Sequence, residues 1–261
     1  MQLDLTGKHA LVCGASEGMG RATAHELALL GADVTVLARR ADALRDVVAS
    51  LPRKDGQHHD YIQADMADTA GVRDAATSLV AARPVHILIN NTGGPPGGAA
   101  IDADLDAFLD AFRKHLLANQ TLAQACVPAM REARYGRIIN IISTSVYEPI
   151  PNLGVSNTTR GAVASWAKTL SRELAADGIT VNNVLPGFTE TGRIAQIVDG
   201  QRARTGKSEA DVREGMMAQV PARRFADPSE PASLIAYLSS PAAGYINGQS
   251  IAVDGGRMNS I

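Results

Sequence analysis

Cysteine and aromatic residues are scarce in this chain, and long apolar runs are missing from it. Its 261 residues include two cysteines, one tryptophan and only 4% aromatic residues. Cys13 and Cys126 lie far apart among apolar neighbours. This spacing excludes a disulfide framework and a cysteine-based metal centre, and it predicts two small core residues. No stretch approaches the length of about 18 apolar residues that a membrane-spanning helix needs, so we expect none.

Neither sign of charge dominates the composition. Lysine and arginine number 25 and the acids 27, which gives a formal net charge of −2. We therefore expect neither a nucleic-acid partner nor a membrane partner. Residues 1–8 lack the apolar stretch of a secretory signal, so a cytoplasmic protein is predicted. His58 and His59 have no partner at metal-ligand spacing, and we expect a solvated pair and no metal site.

Apolar strand-like segments alternate with helix-like segments along the whole chain. This alternation is typical of a parallel sheet whose two faces are covered by helices. We therefore predict an α/β fold, a single doubly wound parallel sheet of the Rossmann type, with residues 1–261 forming one domain. The predicted strands cover residues 9–13, 34–38, 60–64, 85–90, 138–142, 180–185 and 250–253.

Apolar residues at helical spacing predict helices in the segments between these strands. One long helical region, 104–134, is expected to bend near Pro128. The polar stretch 189–224 predicts a small helical lid over a substrate site. The other predicted helices cover residues 21–30, 42–51, 72–82 and 161–176.

A glycine-rich turn follows the first predicted strand and precedes the first predicted helix. Its glycines have the spacing GxxxGxG, and glycine lets the backbone approach a pyrophosphate at a helix N-terminus. An ordinary connecting loop is the alternative, but the position between a strand and a helix favours a dinucleotide site. The residues of this candidate site are Gly14, Ser16, Glu17, Gly18, Met19 and Gly20.

The end of the second strand indicates which dinucleotide is bound. Ala38 stands where NAD-binding sites usually place a carboxylate for the ribose, and Arg39 and Arg40 follow it. Guanidinium groups bind phosphate well, which favours NADP(H) over NAD(H). Glu17 argues mildly against a 2′-phosphate, and a solvated helix start is the alternative reading of the two arginines. Cations are unfavourable at a helix N-terminus, however, so a bound anion would stabilise them.

Several short motifs together resemble those of the short-chain dehydrogenase/reductase family over nearly the whole chain. The matching segments are 14–20, Asp65-Met66, Asn90-Asn91-Thr92-Gly93, Asn140-Ile141-Ile142-Ser143, Pro186-Gly187 with Thr189 and Thr191, Asn247-Gly248-Gln249 and Asp254-Gly255-Gly256. The resemblance implies that Asp65 and Met66 flank the adenine. It also implies that Asn91 and Gly93 line a ribose, and that Pro186, Gly187 and Thr189 cover the nicotinamide.

The catalytic positions depart from the family's pattern. Members usually use a serine, a tyrosine, a lysine and an asparagine to protonate a carbonyl oxygen as hydride reaches carbon. Ser143 occupies the serine position, but Ser156 and Arg160 stand where the family has tyrosine and lysine. His115 occupies the asparagine position, with Asn119 one turn later. The resemblance implies that Ser143 orients the substrate oxygen and that Arg160 holds the nicotinamide ribose.

A serine hydroxyl is a poor acid, so another group must supply the proton. Tyr147, four residues after Ser143, is our first candidate, with an amphipathic loop residue as the alternative. His115 is a second candidate, although a partly buried helical histidine is more often structural.

These observations predict an NADP(H)-dependent oxidoreductase that acts on a small carbonyl or alcohol, with 3-oxoacyl-thioester reductases as the nearest label. Two alternatives stay open. One is a catalytically silent NADP(H)-binding sensor or assembly subunit, and the other is a dehydratase or isomerase. The resemblance also implies a homodimer or homotetramer built by the helices 104–134 and 161–176, although Trp166 and Leu170 in the latter fit a buried core equally well.

Overall fold

A computed structural model describes residues 1–54 and 56–260. Seven strands pair in parallel in the order β3-β2-β1-β4-β5-β6-β7, and the predicted fold is confirmed. The order reverses between β1 and β4, and open sheets of this type bind ligands beyond the carboxyl ends of the strands at such a point. The strands are β1 His9–Cys13, β2 Asp33–Ala38, β3 His59–Gln63, β4 Ile87–Asn90, β5 Gly136–Ile141, β6 Ile179–Pro186 and β7 Ser250–Val253.

Helices cover both faces of this sheet. Their bounds are α1 Gly18–Leu29, α2 Ala41–Ser50, α3 Thr69–Ala82, α4 Leu105–Phe112, α5 Ala118–Glu132, α6 Gly154–Leu174, α7 Gly192–Thr205, α8 Glu209–Met217 and α9 Ser229–Ser239. Helices α1, α2 and α9 pack on one face, and α3, α5 and α6 pack on the other.

The strand pattern explains why the sheet has two apolar faces. Successive side chains of a strand point to opposite sides. In β1, Ala10 and Val12 therefore join one core cluster, whereas Leu11 and Cys13 join the other. Cys126 from α5 lies in the same cluster as Cys13, and both thiols are free and buried, as predicted.

The helix boundaries differ more from prediction than the strand boundaries, which agree to within two residues. Helix α6 begins at Gly154 instead of 161, and α9 was not predicted at all. The segment before Gly161 is rich in serine, threonine and asparagine, which favour helices weakly. Tertiary packing compensates there, since Val155 is buried and its carbonyl accepts a hydrogen bond from Thr159.

The long helical region also departs from the predicted bend. A π-helical turn, Arg113–Leu117, joins α4 to α5, and α5 continues through Pro128. Irregular turns of this kind occur frequently at functional sites. The turn carries His115, which brings the irregularity next to the candidate site.

The prediction of a solvated His58-His59 pair is wrong for His59. Its ring is buried, its Nδ1 accepts a hydrogen bond from the Val34 N–H at 3.2 Å, and its Nε2 lies 3.0 Å from the carbonyl oxygen of Pro52. No helix in residues 1–54 or 56–260 is long and apolar enough to span a bilayer.

A second buried histidine, His9, predicts how the fold responds to acid. Its Nδ1 lies 3.0 Å from the Pro84 carbonyl and its Nε2 lies 2.8 Å from the Thr35 hydroxyl. The neutral ring therefore donates from Nδ1 and accepts at Nε2. Burial lowers the pKa of His9 to about 4.

We expect the free energy of unfolding to fall as the pH drops from about 6.5 to about 4. The unfolded chain binds a proton at the ordinary histidine pKa, whereas the folded chain binds it only near the lowered value. The loss that His9 contributes is about 3 kcal/mol, because each pKa unit corresponds to roughly 1.4 kcal/mol. Urea unfolding across this range should show a shallower pH dependence in His9→Gln than in the parent. His25→Gln, on an exposed position of α1, is the control and should keep the parental slope. Equal slopes in the parent and His9→Gln would contradict this prediction.

Candidate active site

The glycine turn is locked against the end of β4. Asn91 donates from Nδ2 to the Gly14 carbonyl at 3.1 Å. Gly14 has a φ of 58°, and a Cβ there would lie 2.7 Å from both the Nδ2 and the carbonyl oxygen of Asn91. A Cβ on Gly20 would overlap the carbonyl oxygen of Gly14. The turn therefore depends on glycine at both positions. Its backbone N–H groups lie at the start of α1.

The residues around the turn connect it to the lid. Gly18 has a φ of 56°, and a Cβ there would lie 3.1 Å from the Cγ2 of Thr191, just before α7. Ser16 and Met19 are half-buried within the turn. The turn, the end of β4 and the start of the lid consequently surround one cleft.

The two arginines after β2 are both exposed at the entrance to this cleft. Arg40 Nη2 lies 3.0 Å from Glu17 Oε2, and both side chains are more than half exposed. Arg39 forms no ion pair within the described part of the chain. The carboxylate of Glu17 is thus balanced by Arg40, while the charge of Arg39 faces solvent and is open to a phosphate group.

Asp65 and Met66 lie just beyond β3, on the adenine side predicted for them. Asp65 Oδ1 accepts a hydrogen bond from the Ala67 N–H at 2.9 Å, and Met66 is buried. The Asp65 carboxylate therefore stabilises its own turn and keeps its second oxygen open to solvent or a ligand.

A row of buried amides crosses the sheet behind the site, and the sequence did not predict it. Asn90 donates to Asn140 at 2.8 Å, Asn140 donates to Asn183 at 2.9 Å, and Asn183 donates to Ser250 at 3.0 Å. These residues lie side by side in the register of β4, β5, β6 and β7. The row fixes the relative positions of the four strands whose carboxyl ends carry the candidate catalytic groups. Its signals in the sequence were the asparagines Asn90, Asn140 and Asn183 within predominantly apolar predicted strands.

Ser143 follows the end of β5 and is half-buried. Its Oγ accepts a hydrogen bond from the Ser145 N–H at 3.1 Å. Because the oxygen is the acceptor in this bond, the hydroxyl hydrogen is left to donate to another group. The position and the free donor fit the predicted role toward a substrate oxygen.

Arg160 lies beneath this loop, and only 8% of it is exposed. It donates from Nη1 to the Ile141 carbonyl at 3.2 Å, and its buried Nε has no hydrogen-bond partner in the described chain. Burial, and next the charge of Arg193, lower the pKa of Arg160 to about 10. Ser156 is buried one turn earlier on α6. The structure therefore brings Ser143, Ser156 and Arg160 to the end of β5.

His115 is almost fully buried in the π-helical turn. Burial is the main cause that lowers the pKa of His115 to about 2, with the charge of Arg160 next. Its Nε2 has no partner among the described residues, and it shares a small cavity with Asn90, Asn91 and Arg160. A ring with this pKa is neutral in the physiological range, so it has no proton of its own to release as an acid.

The Tyr147 hydroxyl lies away from this group. It donates to the Ser250 carbonyl at 3.2 Å, and 53% of the residue is exposed. Ser250 begins β7 beside Asn183, three residues before the carboxyl end of that strand. Tyr147 is therefore four residues from Ser143 in the sequence, but its hydroxyl is bonded to the first residue of the edge strand β7.

The segment after β6 forms the opposite wall of the cleft. Gly187 donates to the Val253 carbonyl at 2.9 Å, and a Cβ on Gly187 would lie 2.7 Å from the Cα of Asp254. Thr189 is buried and bonds back to the Gly187 carbonyl at 3.3 Å. Pro186, Gly187 and Thr189 thus form a tight turn at the edge where the nicotinamide is predicted.

The segment 189–224 contains α7 and α8, which share a small apolar cluster of their own with Ile194, Val198, Val212, Met216 and Phe225. Arg193, which the sequence did not single out, joins this segment to the loop after β4. It donates from Nη2 to the Pro95 carbonyl at 2.9 Å. No group of three histidine, cysteine or acidic residues that could bind a metal occurs in the described residues.

This chain is similar to known proteins over nearly its whole length. The family model described as enoyl-(acyl carrier protein) reductase matches residues 14–258. A 3-oxoacyl-(acyl-carrier-protein) reductase, FabG, of Salmonella typhimurium is 34% identical over 257 residues, which cover 97% of this chain and 98% of that protein.

Solved structures extend the similarity to the fold. The L-sorbose reductase of Gluconobacter frateurii, complexed with NADPH and L-sorbose, superposes with a TM-score of 0.93 at 28% identity and full coverage of both chains. An actinorhodin polyketide ketoreductase variant with NADPH has a TM-score of 0.90 at 32% identity, covering 97% of this chain and 98% of that one. With this sheet order, this glycine turn and these relatives, the chain belongs to the short-chain dehydrogenase/reductase family of oxidoreductases.

Proposed function

We propose that this protein is an NADP(H)-dependent reductase or dehydrogenase of a small carbonyl or alcohol. The observation that carries the proposal is the cleft itself: a glycine turn locked to β4, two exposed arginines after β2, and Ser143 and Arg160 at the end of β5. The relatives that bind NADPH or NADP support the choice of cofactor.

The described residues fit this cofactor. A Cβ at Gly14 or Gly20 would strike the protein's own backbone, so glycine at both positions keeps the turn tight at the start of α1. A helix N-terminus that follows such a turn suits a pyrophosphate. The turn would hold the pyrophosphate, Arg39 and Arg40 the 2′-phosphate, Asp65 and Met66 the adenine, and Asn91 and Gly93 a ribose. Pro186, Gly187 and Thr189 would cover the nicotinamide, which supplies or accepts the hydride when the cofactor is bound.

On this proposal, the chain's own groups orient the substrate and stabilise charge. Ser143 donates a hydrogen bond to the substrate oxygen, and Arg160 holds the nicotinamide ribose through donors such as Nε, which has no partner in the described residues. Ser156 and Arg160 replace the family's tyrosine and lysine, so the protein lacks the usual phenolic acid at that position. Segment 189–224 acts as a lid, and Arg193 holds it against the loop after β4.

Tyr147 stays a prediction as the proton donor. In that role its hydroxyl must leave the Ser250 carbonyl when substrate binds. Tyr147→Phe measures this directly, since loss of a general acid lowers kcat by roughly 10²–10⁴-fold. A decrease in kcat of less than about threefold would contradict this role, and the hydroxyl would then serve only to link the loop to β7.

The experiment that tests the proposed function follows NADPH oxidation with a panel of small aldehydes and ketones. We expect turnover with part of the panel, and Ser143→Ala should lower kcat by about 10²-fold because it removes a hydrogen bond to the oxygen on which charge develops. Ser145→Ala is the matched control, since the buried Ser145 Oγ has no partner in the described residues. NADPH binding without oxidation by any carbonyl would establish the silent alternative. Solvent-proton exchange into substrate without oxidation would identify a dehydratase or isomerase.

We also propose a homodimer or homotetramer built through α4, α5 and α6. Leu105 is 81% exposed and Leu109 51% exposed, one turn apart on α4. An apolar row of this kind on a helix face favours contact with another copy. Trp166 is half-buried and donates to Gln120 at 2.7 Å, so it joins α6 to α5 within the chain.

A further inference from the structure

The segment 254–260 folds back over the loop that follows β5. Glu148 in that loop accepts hydrogen bonds from the N–H groups of Asn259 at 2.8 Å and Ser260 at 2.6 Å. Asp254 accepts two further backbone N–H groups within the segment itself. Two carboxylates therefore fix the segment beside the candidate active site.

Arg257 projects from this fixed segment toward the loops of the site. Its guanidinium lies 4.3 Å from the centre of the Phe188 ring and donates to the Thr144 hydroxyl at 3.4 Å. Thr144 follows Ser143, and Phe188 follows Gly187. The guanidinium thus lies between the loop that carries the candidate catalytic serine and the loop predicted to cover the nicotinamide.

The charge of Arg257 is not paired within the described chain. No carboxylate of residues 1–54 or 56–260 lies within 4.0 Å of it. The two nearby acids, Glu148 and Asp254, are engaged by backbone N–H groups. A guanidinium has five N–H donors, and the bond to Thr144 uses one of them. Burial lowers the pKa of Arg257, but an arginine stays protonated at neutral pH.

The candidate site holds two more guanidinium groups without an ion pair in the described residues. Arg160 lies under the end of β5, and Arg193, in α7, reaches the loop after β4. Three half-buried or buried cations without a bound acid make the site complementary to an anion. The negative charges of Glu148 and Asp254 close to Arg257 favour a singly charged group over a phosphate.

We infer that Arg257 binds a carboxylate of the substrate, and that the substrate is a small oxo acid or hydroxy acid. This inference rests on the proposed function, because the roles of Ser143 and Gly187 come from it. The fork of donors matches a carboxylate, and the Phe188 ring holds the guanidinium in one orientation. By holding the carboxylate, Arg257 then fixes the orientation of the substrate relative to its reacting carbon.

Matched acids and esters test the inference. The substrates are 2-oxobutyrate and its methyl ester, and acetoacetate and its methyl ester, each with NADPH. We expect at least one acid to exceed its ester in kcat/KM by roughly 10- to 150-fold, the size of one charge-assisted hydrogen-bond pair. Arg257→Gln should remove this preference by raising KM for the acid, with the ester unchanged to within about twofold. Arg257→Lys should keep part of the preference, because it keeps the charge without the fork.

An exposed arginine outside the cleft serves as the control, and Arg53→Gln should leave both acid and ester kinetics at parental values. Ester turnover also shows whether Arg257→Gln has kept its fold. If acid and ester are reduced equally well in both pairs, or if Arg257→Gln changes them equally, the inference fails while the proposed function stands.

A binding measurement tests the carboxylate site independently of the proposed reductase function. Calorimetric titration of acetoacetate and of 2-oxobutyrate into protein loaded with NADP⁺ requires no reduction. We expect binding that Arg257→Gln weakens by the same factor as KM. Arg257-dependent binding without NADPH oxidation by any carbonyl would overturn the proposed function and leave the carboxylate site. No binding of either acid would overturn the inference.

Discussion

Replacing both Arg39 and Arg40 by alanine should raise the Kd for NADPH by roughly 10²–10⁴-fold, because it removes two charge-assisted contacts to the 2′-phosphate. The Kd for NADH should change by less than about threefold, since NADH has no phosphate at that position. The structure adds a second effect. Arg40 lies 3.0 Å from Glu17, and its loss leaves that carboxylate unpaired at the same site.

Fluorescence titration with both cofactors measures this selectivity. The double variant with Glu17→Gln added separates the two effects, because it removes the repulsion as well as the attraction. We expect it to recover part of the NADPH affinity that the double variant loses. Arg53→Ala, an exposed arginine outside the cleft, is the control. Equal weakening of NADPH and NADH in the double variant would show that the arginines support the fold and do not select the phosphate.

The sheet could be predicted from the sequence because most strands, β3 excepted, are short apolar runs between helical segments. Burial on both faces demands this composition, and it is a local property that the sequence displays directly. The glycine turn was predictable for a similar reason, since backbone proximity at Gly14 and Gly20 excludes any side chain. Ser143 was identified through the family resemblance, as the residue at the family's serine position.

Other features depend on contacts between residues far apart in the chain. The start of α6 at Gly154 relies on close packing against Ala100, which outweighs weak helix formers such as Thr158. His59 became a core residue because Val34 and Pro52 supply partners for its ring. The local sequence around these residues contains no pattern that predicts such contacts.

The same limit applies to the charges of the site. Arg193 and Arg257 looked like ordinary polar residues of a lid and a terminal segment, and only the fold brings them to Pro95 and Thr144. The position of Arg160 was predictable from spacing, but its unpaired Nε was not. Whether a cation is paired depends on the neighbours that the tertiary structure supplies.

That unpaired charge leads to the second large effect. Arg160→Met should increase the free energy of unfolding by roughly 1–3 kcal/mol, because it replaces a buried cation by an apolar chain of similar length. No carboxylate of the described residues pairs with that cation, and the change removes only one hydrogen bond, to the Ile141 carbonyl. The same change should lower kcat/KM by roughly 10²–10⁴-fold, because the donors proposed to hold the nicotinamide ribose are lost. Stability and activity are expected to move in opposite directions, as they do where a binding group is kept buried for function.

Arg137 provides the matched control for this prediction. It is also buried, but it donates to the carbonyls of Ser240 at 3.3 Å and Gly136 at 2.8 Å, and its guanidinium lies 4.2 Å from the centre of the Tyr135 ring. Arg137→Met should therefore destabilise the fold, because it leaves acceptors unsatisfied, while the chemistry stays intact in the folded fraction. Urea unfolding measures the stability of both variants, and NADPH-dependent turnover measures their kcat/KM. If Arg160→Met is less stable than the parent, as expected for Arg137→Met, the prediction is wrong. Arg160 would then stabilise the fold as a hydrogen-bond donor, and its burial would not reflect cofactor binding.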